Sequence, residues 1–174
     1  MDKFRNYDVV FSGLKEGKHE FKFEINKEFF QLFDTEQDFA NPKIIADVVM
    51  QKHSTFLEFW MKTAGIVSLN CDISNENFDY SFENEMKVLV KFGEDYDFSN
   101  DEVITIPNHN HAFNIAQLVY EEVMLSIPMK KISPNLKKED LEILQKYSPT
   151  DEPKEEQITS DPRWDALKKL KDKN

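Results

Sequence analysis

Cysteine is nearly absent from this chain: Cys71 stands alone among 174 residues, so no internal disulfide forms. Only 4 glycines occur, too few and too scattered for a Gly-rich phosphate loop, and no G-x-S-x-G nucleophile elbow is present. No apolar run approaches the ~20 residues needed to cross a bilayer. Met1-Asp2-Lys3-Phe4-Arg5 lacks the apolar core of a signal peptide, and there is no Asn-x-Ser/Thr sequon. A cytoplasmic setting without membrane contact is the expectation.

What is present is charge and aromatic bulk. Charged residues make up 32% of the chain at a net −11, beside 15 Phe, 5 Tyr and 2 Trp, enough apolar material for one folded domain. The charge is uneven. Residues 1–128 hold 11 basic and 23 acidic residues, a net of −12, whereas residues 129–174 come to +1. Between Asp72 and Glu102, 10 acids face only Lys87 and Lys91. Such a field repels phosphates and attracts cations or basic proteins, although it also serves simple solubility.

The first half alternates with period two. Tyr7 to Leu14, a turn at Lys15–Lys18 with Gly17 supplying the unusual backbone angle, and His19 to Ile25 together read as a hairpin. Lys27 to Phe33 reads as a short helix. Further strands are expected at Ile44–Met50, Phe56–Lys62, Gly65–Cys71, Phe78–Phe82, Met86–Phe92 and Val103–Ile106. Ile115 to Leu125 carries apolar residues at helical spacing, capped by Asn110 or Asn114 and stopped at Pro128.

Two regions follow: an acidic β-rich body with its closing helix at 1–128, and a charged tail at 129–174. Within the tail, 138–147 reads as a short helix and 148–160 has linker composition. Asp161-Pro162 then opens a last amphipathic segment, with Trp164, Leu167 and Leu170 on one edge. The fold class is α+β: a mainly antiparallel sheet or partly open barrel, one packed helix, and a partly helical tail.

Candidate chemistry is sparse. Cys71-Asp72-Ile73-Ser74 offers one soft ligand where zinc or redox chemistry needs two, and a strand-end cysteine is the plainer reading. His109-Asn110-His111 reads as a polar loop before a helix. Glu121 and Glu122 diverge by ~100° around the helix and cannot form a close acid–base pair. Glu122 borders the buried stripe, where a structural hydrogen bond or ion pair is expected; Glu121 is expected at the surface. Phe56 and Trp60 share a strand face with Glu58 and Lys62. Such rings can stack on bases, but more often a helix or second layer covers them. Trp164 must dock either on the body or on a partner. No catalytic residue, cofactor or metal is expected.

The order of these features resembles the YceD family, the large ribosomal RNA subunit accumulation proteins. Four stretches carry the likeness: Phe11–Gly17 with Glu20–Phe23; Gly65-Ile66-Val67-Ser68-Leu69-Asn70-Cys71-Asp72; Leu118 to Pro128 with its Leu-x-x-Pro ending; and Asp161-Pro162-Arg163-Trp164-Asp165-Ala166-Leu167-Lys168-Lys169-Leu170. The chain departs from the pattern at Ser74, where many members have a second cysteine, so no cysteine-pair function carries over. The resemblance implies a non-enzymatic role in ribosome assembly. With the acidic body, it points to a basic large-subunit ribosomal protein or the pre-50S particle as partner, with contact to ribosomal RNA indirect. The expected partner-binding residues are Asp95, Asp97, Asp101, Asp161, Pro162, Arg163, Trp164, Leu167 and Leu170. The alternative is an RNA-binding module stacking bases on Phe56 and Trp60.

Overall fold

Apolar and polar side chains alternate through residues 40–93, which requires a sheet with one face in the core, and the chain builds one. The computed structural model describes residues 3–100 and 102–136. After a 3-10 turn at Lys3–Tyr7 come strands β1 (Asp8–Val10) and β2 (Gly17–Ile25), then helix α1 (Lys27–Phe30). Strands β3 (Ala40–Lys52), β4 (Phe56–Asn70), β5 (Asn77–Gly93), β6 (Val103–Pro107) and β7 (Ala112–Asn114) follow, and helix α2 (Ala116–Ser126) comes next. The main sheet runs β2-β3-β4-β5-β6, antiparallel except for the parallel β5–β6 pair. It does not close into a barrel, so of the two expected arrangements the open α+β sheet is the one formed.

Two expectations need correction. The hairpin of Tyr7–Leu14 with His19–Ile25 does not form: β1 pairs with β7, Val9 opposite Phe113, and β2 pairs along its whole length with β3. β2 meets β3 at nine positions and stands at the end of the sheet, and three-residue β1 finds its partner in β7 instead. The turn is tied from elsewhere, since Lys52 Nζ donates to the carbonyls of Phe11 and Leu14 at 3.0 and 2.8 Å. Gly17 does take the expected conformation, at φ +131°. The second correction concerns length. The separate strands expected at 56–62 and 65–71 are one strand, β4, as are those at 78–82 and 86–92 in β5. Neither Thr63-Ala64 nor Glu83-Asn84-Glu85 contains a proline or glycine, and pairing runs straight through both. Gly65 allows the close approach there: a Cβ would lie 2.5 Å from the Lys43 carbonyl oxygen, beside the register shift between Ala40 and Lys43.

The inner face carries Ile44, Ala46, Val48 and Met50 of β3, Leu57, Phe59 and Met61 of β4, and Val88 and Val90 of β5, all buried. Phe29 and Phe30 of α1 and Val119 and Val123 of α2 belong to the same core. Phe33 stacks on Tyr120 with centroids 4.1 Å apart, joining the residues after α1 to α2. Asn26 caps α1 by accepting from the N–H groups of Glu28 and Phe29.

Neither expected asparagine is the cap of α2: Ile115 holds that position with no side-chain cap, and Asn114 stands one residue before it. Its Oδ1 accepts from the Ala116 N–H at 3.0 Å, and its Nδ2 donates to the Phe4 carbonyl and to Asp8. Ile127 turns extended before Pro128 and ends the helix. The chain then returns to the β4–β5 turn, where the Lys131 N–H donates to Asp72 Oδ2 at 2.7 Å and the Ser133 N–H meets Cys71 Sγ at 3.3 Å.

Candidate functional site

The β5–β6 connection concentrates acid and exposed ring together. Asp97 exchanges backbone hydrogen bonds with Thr105 at 3.0 and 2.9 Å, which pins the middle of the loop to β6. Its carboxylate accepts from the Ser99 N–H at 2.9 Å. The Ser99 side chain and then its N–H hold the Asp97 carboxyl below the usual range. Asn100 likewise accepts from the N–H groups of Glu102 and Val103. These contacts leave Asp95, Tyr96 and Phe98 facing solvent. Both rings are 59% exposed and stack in parallel with centroids 6.0 Å apart. Asn110 steadies the pair by donating to the Tyr96 hydroxyl at 2.6 Å.

A groove of 760 Å³ opens between this loop and α2. Met86, Ile104, Phe113 and Leu118 supply much of its apolar lining, and Phe98 and Leu125 also line it. Among the described residues its charged lining residues are Glu121, Glu122 and Glu85, the last paired with Lys62. Glu122 is only 7% exposed, and Thr63 is buried too. Of the structural hydrogen bond or ion pair expected of Glu122, no ion pair is made among the described residues, and the Thr63 side chain is its polar neighbour. Burial pushes its carboxyl up to about 7, with the Thr63 side chain pulling weakly the other way. Glu121 is at the surface, as expected, where Gln117 donates to it.

Phe56 and Trp60 lie on the face of the sheet opposite the core, and no helix or second sheet among the described residues covers them. The commoner expectation, core packing, is overturned. Trp60 is 40% exposed, with the Lys87 ammonium 5.0 Å from its ring centre, while Phe56 stacks on His53 at 4.2 Å. Around them Glu58 pairs with His53 at 2.8 Å and Lys87 at 3.0 Å, and Lys62 pairs with Glu83 and Glu85. Hydrogen bonds from His53 and then Lys87 lower the Glu58 carboxyl. Both rings thus already sit beside a cationic or ionisable neighbour.

Cys71 is buried at the end of β4. Burial alone would raise its thiol; the Ser74 side chain and the N–H groups of Ser74, Ser133 and Ile73 outweigh that and set it at about 7. His109 and His111 lie in the β6–β7 connection, where the His111 carbonyl accepts from the N–H groups of Phe11 and Ser12. No group of three or more His, Cys, Asp or Glu among the described residues could hold a metal ion, and no helix among them is long and apolar enough to cross a membrane.

The expected partner-binding residues divide. Asp95 and Asp97 share the exposed loop; Asp101, Asp161, Pro162, Arg163, Trp164, Leu167 and Leu170 lie outside the described residues. Sequence reasoning missed Tyr96 and Phe98, because the alternation Asp95-Tyr96-Asp97-Phe98 reads equally well as a half-buried strand with both rings inward. It missed the groove because no local pattern records two distant segments facing each other.

The model of one protein family, described as "Large ribosomal RNA subunit accumulation protein YceD", matches residues 60–171. Comparison with curated proteins and with solved structures found no match.

Proposed function

This chain belongs to the YceD family, and from that premise we propose that it supports large-subunit ribosomal RNA accumulation as a non-enzymatic, cytoplasmic assembly factor that binds a basic large-subunit protein or the pre-50S particle. The observation that carries this reading is the β5–β6 loop, where exposed carboxylates alternate with the stacked Tyr96–Phe98 pair. Acids there raise the encounter rate with a cationic partner, and the rings supply apolar area once it arrives. The same field disfavours naked RNA. In this reading the body at 1–128 supplies the acidic surface, and the tail at 129–174 adds the Asp161–Leu170 segment as a second contact.

A second reading, RNA stacking on Phe56 and Trp60, draws support from their position on the outer face of the sheet. Against it stand the neighbours those rings already have and the acids among them. A pull-down of the full chain from lysate, with and without ribonuclease, separates the two. Basic large-subunit proteins retained after ribonuclease support the first reading. Loss of every ribosomal partner with the RNA, joined to tight salt-sensitive binding of naked RNA by purified protein, supports the second.

A further inference from the structure

We propose that this chain forms a dimer with a second copy of itself through the free edge of β2, the two strands running antiparallel about a twofold axis at Phe21. The inference does not depend on the function proposed above. It rests on the backbone, the charges and the rings of this one strand.

The edge is open. β2 ends the main sheet and has β3 on one side only. No backbone hydrogen bond among the described residues reaches Lys18–Ile25 from the other side. The strand pairs with β3 at nine consecutive positions without a bulge, and it contains no proline. Its outward backbone groups therefore form a regular row about 30 Å long, a template onto which another strand adds. Edges that stay single are commonly blunted by bulges, proline or charges of one sign, and β2 has none of these.

The charges are self-complementary. Lys18, Glu20, Lys22 and Glu24 alternate in sign along the exposed face of the strand. When two copies pair antiparallel with Phe21 opposite Phe21, Lys18 of each copy meets Glu24 of the other, and Glu20 meets Lys22. All four opposed pairs then have opposite sign. A shift of two residues either way sets Glu20 or Lys22 against itself, and parallel in-register pairing sets every charge against its like. The order of signs thus selects a second copy, in one register. In the single chain Lys18 meets Glu20 and Lys22 meets Asp47, each at 3.1 Å. Those side chains are all more than half exposed, so such pairs hold little energy and leave each charge open to a partner across the edge. Glu24 is in no ion pair among the described residues.

The opposite face of the strand ends in rings. His19, Phe21 and Phe23 are half-buried, and the two phenylalanines pack against the core from its margin. In the same register Phe21 meets Phe21 and Phe23 meets His19, so the rings left at the margin cover one another.

The test is sedimentation of the full chain from micromolar to near-millimolar concentration, at low and high salt. The parent should show a monomer–dimer equilibrium that salt weakens. Glu20→Lys sets lysine against lysine twice in the dimer and should raise its Kd about tenfold; adding Lys22→Glu to that variant should restore the parent affinity. Both side chains are well exposed, and circular dichroism spectra matching the parent will show that the variants fold. A chain monomeric throughout leaves the edge to a strand of another protein and overturns the proposal. So does a dimer indifferent to Glu20→Lys, or a double variant no tighter than Glu20→Lys alone.

Discussion

Glu122 on α2 and Thr63 on β4 lie buried beside each other, and among the described residues the Glu122 carboxyl has no cation to pair with. A buried carboxylate without a partner is costly, and a carboxyl held at about 7 shows which way the cost is met: by keeping the proton.

The consequence for stability has a definite sign. In the unfolded chain a glutamate titrates near ~4.3, so folding takes up a proton between that value and about 7. Stability from this group is greatest below the lower value and is lost as pH rises through the upper one. Glu122→Gln removes the dependence. Its melting temperature should exceed that of the parent by roughly 2–6 °C at pH 8, with the gap shrinking towards pH 5. A gap that stays constant with pH would show that Glu122 does not titrate in this range.

Gly65 makes a second, independent case. The Cβ of an alanine there would press on backbone, 2.5 Å from the Lys43 carbonyl oxygen and 2.6 Å from Ile44 Cα, and backbone yields less readily than a side-chain tip. Gly65→Ala should destabilise the fold by about 1–3 kcal/mol, read as a lower urea midpoint with an unchanged slope. An unchanged midpoint would mean that β3 moves away from β4 at no cost.

How much of this was legible depended on distance along the chain. Period-two alternation exposed the buried faces of β3, β4 and β5, because alternation is the direct signature of a half-buried strand. It could not say which strands pair. Val9 meets Phe113 across more than a hundred residues, and nothing within Tyr7–Leu14 distinguishes that partner from His19–Ile25 nearby. Glu122 was visible at the border of the helical stripe, yet a stripe gives no information on whether a partner waits opposite. Phe56 and Trp60 were read correctly as sharing a face with Glu58 and Lys62; the misjudgement was that apolar rings imply cover. The long-range groove had no local signal at all.

The acidic loop yields a kinetic prediction. Asp97 shapes the loop through Ser99 and its backbone pairing with Thr105, so reversing its charge disturbs structure along with field. Asp95→Lys combined with Asp101→Lys isolates the field better, with Asp97→Asn as the variant that keeps a side-chain acceptor. The double reversal should slow association with the basic partner about tenfold at low salt and flatten its salt dependence, leaving dissociation nearly unchanged. Asp97→Asn should have a smaller effect. An unchanged association rate in the double reversal would reduce the patch to a solubility feature.

The Asp161–Leu170 segment lies outside the described residues, and its role is open to a direct experiment. The expectation for it, from Asp161-Pro162 and the three-residue spacing, is a short helix with Trp164, Leu167 and Leu170 along one edge. A helix of about ten residues is marginal alone in water, so such an edge gains order by docking. Burying a tryptophan in a partner contributes on the order of 2–4 kcal/mol, more than a rim contact supplies. Trp164→Ala should therefore weaken partner binding by about one and a half to three decades in Kd while moving the melting temperature of the body by less than about 1 °C. Trp164→Phe, which keeps a ring, should recover part of the loss. If the melting temperature falls by several degrees instead, the tryptophan stabilises the free fold and the partner-binding role is withdrawn.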